Sequence, residues 1–76
     1  MTVFEFCIKA YKVKELELTV CFHFNRTDSE RTQTFHTNGD KFLSEIEWDT
    51  QQAQVIMFEP TKRGALKVYA YLEIDD

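Results

Sequence analysis

The chain has 76 residues, of which 43% are hydrophobic and 14% aromatic, and it carries a formal net charge of −4 at pH 7. A chain of this length forms a single domain, residues 1–76, whose core leaves little room for an enclosed substrate pocket. The acidic balance, with a pI near 5.1, argues against a general binder of nucleic acid or of anionic membranes. Composition therefore favours a compact domain that binds through its surface over an enzyme.

The N-terminal stretch MTVFEFCIKAY has neither the basic segment of a secretory signal nor an apolar run long enough to span a membrane. We therefore expect a cytoplasmic protein, in which Cys7 and Cys21 are reduced thiols.

The first predicted element is a strand at residues 3–10, because Phe4, Phe6, Ile8 and Ala10 occupy every second position. A hairpin turn near Lys14 would join it to a second strand. That pairing would place Cys7 opposite Cys21.

The second element, at residues 15–25, has the clearest pattern in the chain. Apolar side chains occupy its even positions from Leu16 to Phe24, and mostly polar ones occupy the odd positions from Glu15 to Asn25. Strict alternation over this length predicts a strand with one buried and one solvated face.

Residues 31–37, RTQTFHT, predict a thin edge strand with Phe35 as its large apolar residue. The Asn38-Gly39 pair that follows is a strong signal for a two-residue hairpin turn. The resulting register would pair Phe35 with Phe42.

Residues 41–48 fit two patterns. The alternation of Phe42, Ile46 and Trp48 favours a strand, whereas Asp40 followed by Phe42, Leu43 and Ile46 suits a short capped helix. We favour the strand and keep the helix as the alternative.

The last predicted hairpin comprises an apolar strand at residues 53–59, a turn at residues 60–64 and an alternating strand at residues 65–74. Together the pattern predicts a mainly β fold, an antiparallel meander of five to six strands that curls into a small barrel or open sandwich. The alternative is an α+β fold with a short helix at about residues 40–48 packed on a five-stranded antiparallel sheet.

A zinc site is one candidate, because Cys7, Cys21, His23 and His36 can all fall on the outer face of three neighbouring predicted strands. Their spacing matches no zinc-finger pattern and includes no Cys-x2-Cys pair. We therefore expect no metal and no cofactor, with two inert thiols and two surface imidazoles, and keep a small zinc-binding protein as the second alternative.

Cysteine-histidine catalysis is a second candidate, with Cys21 or Cys7 as the nucleophile and His23 or His36 as the base. Side chains two apart on one strand point in parallel, and a flat sheet face offers no third group and no oxyanion site. We therefore expect no catalytic residue.

A nucleic-acid-binding hairpin is a third candidate, because bases and aromatic residues alternate near the C-terminus. Its members are Lys62, Arg63, Lys67, Tyr69 and Tyr71. The acidic total charge makes nucleic acid an unfavourable partner.

A protein interface on the same hairpin is the candidate we favour. With a five-residue turn, Val55 would face Tyr69 and Ala53 would face Tyr71, on the side opposite the core. Tyrosine and methionine are enriched at interface centres, so we predict a protein-binding surface formed by Val55, Met57, Lys67, Tyr69 and Tyr71. The alternative is that a helix at residues 41–48 covers this face as a second core.

The sequence thus predicts a small non-enzymatic domain that binds another protein, with a homodimer as one form of that association. Chains of this kind are typical of inhibitors, immunity factors and accessory subunits, including those that viruses and mobile elements encode. Nucleic-acid binding by the hairpin at residues 62–71 is the alternative function.

Overall fold

The computed structural model describes residues 1–75, and within them the chain forms three helices and four strands. The elements in chain order are α1 Val3–Lys9, β1 Glu15–Phe24, β2 Ser29–Thr37, α2 Phe42–Glu45, α3 Trp48–Gln51, β3 Gln54–Lys62 and β4 Ala65–Ile74. The strands form one sheet in the order β2-β1-β4-β3. A small, mainly β domain is confirmed, with four strands instead of the predicted five to six.

The two strands at the centre of the sheet, β1 and β4, run parallel, with Leu16 opposite Leu66 and Phe24 opposite Ile74. β2 pairs with β1, and β3 with β4, in antiparallel fashion. The sheet is therefore mixed and open, which differs from the predicted antiparallel meander that curls into a barrel or sandwich. Alternation shows which face of a strand is buried, but it does not report strand order or direction.

The core lies between one face of the sheet, here called the inner face, and the helices. Leu16, Leu18 and Val20 of β1 are at most 2% exposed. Buried residues of the helical segments and of β4, and the residue just before β3, pack around them. These residues are Val3, Phe6, Cys7, Phe42, Ile46, Ala53, Val68 and Ala70. The helices therefore cover the inner face.

Helix α1 replaces the strand predicted at residues 3–10. The Thr2 hydroxyl accepts a hydrogen bond from the Glu5 N–H, and the Glu5 carboxylate accepts one from the Thr2 N–H, both at 3.1 Å. This capping box starts the helix, and the spacing of Val3, Phe6 and Cys7 puts one helical stripe into the core. The predicted hairpin, with Cys7 opposite Cys21, is therefore wrong.

Asn38-Gly39 leads into helix α2 and does not form the predicted hairpin. The Asn38 side-chain oxygen accepts hydrogen bonds from the N–H groups of Asp40 and Lys41, at 2.9 and 2.8 Å, which turns the chain towards the helix. Phe42 is consequently buried in α2, at 2% exposure, and does not pair with Phe35. The short helix α2 lies within the range of the alternative helix at about residues 40–48 and contradicts the favoured strand, whereas α3 begins where that helix was expected to end. The five-stranded antiparallel sheet of that alternative is not observed.

Gly39 is required by a close approach of two backbones. A Cβ at this position would overlap the carbonyl oxygen of Ala10 and the Cα of Tyr11, and the Gly39 N–H donates to the Val13 carbonyl oxygen at 3.1 Å. The loop before α2 is thereby packed directly on the end of α1.

We predict that Thr2→Ala lowers the free energy of unfolding by about 1 kcal/mol at pH 7, because the cap of α1 is lost. The hydrogen bonds from Thr2 lower the pKa of Glu5. Their contribution is fully present above the ordinary carboxyl pKa and is lost as the pH falls through the lowered value. The difference in the free energy of unfolding between the wild type and Thr2→Ala, measured with urea, should therefore become smaller in acid. Thr61→Ala, at an exposed position, is the control, and an equal loss in that variant would contradict the role of the cap.

We also predict that Gly39→Ala destabilises the fold by about 1–3 kcal/mol, because backbone atoms on both sides must move to admit a methyl group. Gly64→Ala is the matched comparison: its φ of 80° is unfavourable for alanine, but a Cβ there would meet only the Lys14 side chain, at an ordinary van der Waals distance. That strain alone costs about 1–2 kcal/mol. Thermal and urea unfolding measure both variants, and a Gly39→Ala protein as stable as the wild type would show that the two backbones are not held in contact.

Candidate binding surface

The candidate surface is the side of the sheet opposite the helices, here called the outer face. Its residues alternate with the core residues along β1 and β4, so that Glu17, Thr19, Cys21 and His23 lie beside Lys67, Tyr69, Tyr71 and Glu73 respectively. The helices pack on the inner face. Within residues 1–75, therefore, no helix covers the outer face.

Four of the five residues predicted to bind protein lie on the outer face. Met57 of β3 stands directly opposite Tyr69 of β4, and Lys67 and Tyr71 flank Tyr69 two positions away on either side. Met57 is 51% exposed, and the two tyrosines are half-buried by their neighbours. Met57, Tyr69 and Tyr71 are called the central patch below.

Val55 is the exception, and its predicted position on the binding surface is wrong. It pairs with Ala70, not with Tyr69, and packs against the core. The register shifts between Val55 and Met57, which makes Ile56 the extra residue of a β-bulge. Because a bulge changes the phase of the alternation, Val55 and Met57 face opposite sides although they are two residues apart.

The same bulge alters the other predicted pairing of this hairpin. Gln54, not Ala53, lies opposite Tyr71, and Ala53 is fully buried. Sequence reasoning also missed two exposed apolar side chains on this strand, Ile56 at 65% and Phe58 at 55% exposure. Phe58 does face inward, and its ring lies 5.0 Å from that of Phe6. Because β3 is an edge strand, the other side of the Phe58 ring is open to solvent.

Two of the three basic side chains of the last hairpin lie against carboxylates of β1, and the third, Arg63, is exposed in the turn. The Lys67 ammonium is 3.7 Å from the Glu17 carboxylate, and the Lys62 ammonium is 3.2 Å from Glu15. Glu17 also lies 3.9 Å from Nδ1 of His36. Exposed pairs of this kind contribute about 0–1 kcal/mol each to stability. Their larger effect is to offset the positive potential that a phosphate backbone would require.

His23 lies at the other end of the outer face. Its ring is 6.3 Å from that of Tyr71, with an angle of 24° between the planes. Its Nε2 and Nδ1 atoms are 3.4 Å and 3.5 Å from the carboxylates of Asp28 and Glu30. Packing against Tyr71 therefore orients the imidazole, and the two carboxylates lie near its nitrogen atoms. The approach to Glu30 is an ion-pair distance and does not satisfy Nδ1 as a hydrogen bond.

Neither cysteine has the electrostatic surroundings of an activated nucleophile. Partial burial raises the pKa of Cys21, and the neighbouring Glu30 carboxylate raises it further. Burial in the core raises the pKa of Cys7 to about 11. An activated thiolate requires nearby positive charge, which lowers the pKa, so both side chains are thiols at neutral pH.

The four candidate zinc ligands do not meet on one face. Because residues 3–9 form a helix, Cys7 lies on the inner side of the sheet and is fully buried. Cys21 and His23 lie on the outer face of β1, and His36 stands opposite Glu17. In residues 1–75 no group of three or more histidine, cysteine, aspartate or glutamate side chains is arranged to hold a metal ion. The expectation that all four can share one surface is therefore wrong.

Tyr71 links the central patch to His23. Partial burial raises the pKa of its hydroxyl, and the nearby carboxylates of Glu73 and Glu30 raise it further. The phenol therefore stays protonated and can donate a hydrogen bond to a bound molecule. This end of the outer face therefore presents a neutral hydrogen-bond donor beside carboxylates, which accept hydrogen bonds.

Comparison of the chain with family models, with curated proteins and with solved structures found no match. Among the helices of the described residues, none has the length and apolar character needed to cross a membrane.

We predict that a thiol-alkylating reagent modifies Cys21 slowly and leaves Cys7 unmodified in the folded protein. Cys21 is half-buried, whereas Cys7 is fully buried. Because only the thiolate reacts, the rate at Cys21 should rise at a higher pH than it does for the same cysteine in the unfolded chain. Intact-mass spectrometry with time measures both sites, and Cys21→Ser is the control that should show no labelling before denaturation. Rapid labelling of Cys21 at pH 7 would contradict its raised pKa.

Proposed function

We propose that this domain is non-enzymatic and binds another protein through its outer face, as an inhibitor, an immunity factor or an accessory subunit of a larger complex. The observation that carries the proposal is the central patch, where Met57, Tyr69 and Tyr71 lie together on a face that no described helix covers. Tyrosine and methionine offer large contact areas with adaptable polarity, and both are enriched at the centres of interfaces.

The charges around the central patch define the chemistry of the partner. Carboxylates line β1, β2 and β4 on this face, at Glu17, Glu30 and Glu73. Lys67 lies among them but is paired with Glu17. A partner that matches this surface has an apolar or aromatic centre with lysine and arginine side chains at its rim, because opposite potentials steer association and fix its orientation.

Nucleic-acid binding by the hairpin at residues 62–71 has weaker support. Two of its bases, Lys62 and Lys67, lie within 3.7 Å of β1 carboxylates. A phosphate backbone would have to displace these carboxylates, which themselves would repel it. Tyr69 and Tyr71 lie side by side on β4 and can stack on bases, but the potential around them favours cations.

We predict that Met57→Ser combined with Tyr69→Ser abolishes partner binding and lowers the free energy of unfolding by no more than about 1 kcal/mol, the worth of one cross-strand pair. The control is Leu43→Ser, which alters an exposed apolar side chain, 57% exposed, on α2. Affinity capture from extracts of the source cells, followed by mass measurement of the intact complex, compares the three proteins. A partner retained by the control and lost by the double variant supports the proposal. Equal retention by both variants would contradict it, as would a loss of several kcal/mol in the double variant, because that is the cost of opening a core.

We further predict that the protein is not retained on single-stranded nucleic acid at low ionic strength. The ion pairs of Lys62 and Lys67 and the net charge of −4 leave little attraction for phosphates. Column retention as a function of salt is the measurement, with Lys67→Glu as a comparison. Retention that salt abolishes, and that Lys67→Glu weakens, would replace the protein-binding proposal with its nucleic-acid alternative.

A further inference from the structure

The directions of the backbone groups in β1 follow from two hydrogen bonds at its ends. The Glu15 N–H donates to the Gly64 carbonyl oxygen, and the Asn25 N–H donates to that of Ile74. Consecutive residues of a strand direct their backbone groups to opposite edges. The odd-numbered residues of β1 therefore bond to β4, and the even-numbered residues bond to β2.

The register between β1 and β2 then fixes the free edge of β2. Its odd-numbered residues stand opposite the even-numbered residues of β1, as Gln33 does opposite Val20, and bond to them. The N–H and C=O groups of the even-numbered residues point away from the sheet. These residues are Glu30, Thr32, Thr34 and His36. Among the described strands β2 has β1 as its one neighbour, so this row of backbone donors and acceptors faces solvent.

The opposite edge of the sheet, β3, is protected in three ways. The Val55 N–H donates to the Met1 carbonyl oxygen at 2.8 Å, and Pro60 has no N–H to offer. Register shifts interrupt the strand at Ile56 and again between Pro60 and Lys62. Proline, bulges, covering segments and charged side chains are the usual means by which proteins prevent pairing at an edge.

Within residues 1–75, β2 lacks the first three of these protections. Its nine residues, SERTQTFHT, contain no proline, glycine or lysine. Its register with β1 continues through nine residue pairs without a bulge. Arg31 is the one charged residue on its inner side. One edge of the sheet is therefore closed to pairing and the other is open along its whole length.

We propose that β2 pairs with the β2 strand of a second copy of this chain, antiparallel, about a two-fold axis that passes through Gln33. This interface is separate from the central patch and does not depend on the proposed function. Gln33 is the middle residue of β2, so this register pairs all nine residues of each strand. An axis perpendicular to the sheet also keeps the two inner faces on the same side.

The side chains of β2 are complementary in this register. Glu30 lies opposite His36 of the second copy, where the imidazole can donate to the carboxylate. Thr32 lies opposite Thr34, a pair that can exchange hydroxyl hydrogen bonds across strands. On the inner side Arg31 lies opposite the ring of Phe35, which gives the guanidinium a cation–π partner. No like charges meet.

Backbone hydrogen bonds form at the outward-facing residues of both strands. Each Glu30–His36 and Thr32–Thr34 pair, formed twice by the symmetry, exchanges two bonds, which gives about eight in all. The two sheets become one sheet of eight strands. A second copy thus satisfies the open edge along its whole length and in a single register.

The test uses the intact chain and two charge variants at exposed positions. Thr32→Lys with Thr34→Lys places lysine opposite lysine twice in the dimer, whereas Thr32→Glu with Thr34→Lys places glutamate opposite lysine twice. Both variants lose the same hydroxyl contact between Thr19 and Thr34, 3.2 Å in length, so that loss cancels in the comparison. Urea unfolding confirms that each variant is folded.

Sedimentation equilibrium over a range of concentrations should show a wild-type dimer. The dissociation constant should be about tenfold or more higher in the lysine-lysine variant, because like charges directly opposite each other are unfavourable. In the glutamate-lysine variant it should lie within about threefold of the wild-type value, because opposite charges in the same positions are favourable. Amide hydrogen exchange at Thr32 and Thr34 should slow as the dimer forms.

A monomeric wild type would overturn the proposal, and the edge would then be free for an extended segment of another protein. A dimer of equal strength in all three proteins would also overturn it, by placing the contact elsewhere. Tyr69→Ser, on the outer face, should leave the dimer unchanged.

Discussion

The parallel pairing of β1 with β4 is the constraint on which the rest of this structure depends. Both strands carry an unbroken apolar stripe, from Leu16 to Phe24 and from Leu66 to Ile74. Each strand buries the most apolar surface when another strand lies on either side of it. Parallel neighbours cannot be joined by a tight turn, so the chain between them must cross over the sheet. That crossover contains α2 and α3, and it carries them over the same face as α1. Because one face receives all the described helices, the other is left as a surface of polar and aromatic residues.

Sequence patterns predicted the parts of the fold that one strong periodicity determines. β1 and β4 were located to within a residue at each end, and the core side of each was correct. The pattern at residues 3–10 was ambiguous, since Phe4, Phe6 and Ile8 alternate while Val3, Phe6 and Cys7 form a helical stripe. The capping box of Thr2 and Glu5 was the signal that could have decided between them.

The candidate site was predictable where it lies on β4 and was not predictable where it lies on β3. The alternation of β4 predicts that Tyr69 and Tyr71 lie on the outer face. The side on which Val55 lies depends instead on a bulge that no residue of the AQVIMFE stretch predicts. Gly39 shows a related limit. Asn38-Gly39 is the usual sequence of a tight hairpin, but here the glycine is present because the backbone at Ala10 and Tyr11 passes against it. Such a requirement arises from residues distant in sequence, so local pattern cannot reveal it.

The open edge and the outer face have a geometric relation that bears on affinity. In an eight-stranded sheet centred on two β2 strands, five strand spacings separate the two copies of β4, which is about 24 Å at the usual interval between strands. A two-fold axis perpendicular to the sheet keeps both outer faces on the same side, while the twist of about 20° between adjacent strands would turn the two central patches about 100° apart. A partner that is itself two-fold symmetric, or that carries two matching sites at this distance, would engage both patches at once. The second contact is then intramolecular, and its effective concentration raises the overall affinity without any new residue at the interface. An interface of modest size on each copy would thus support tight association.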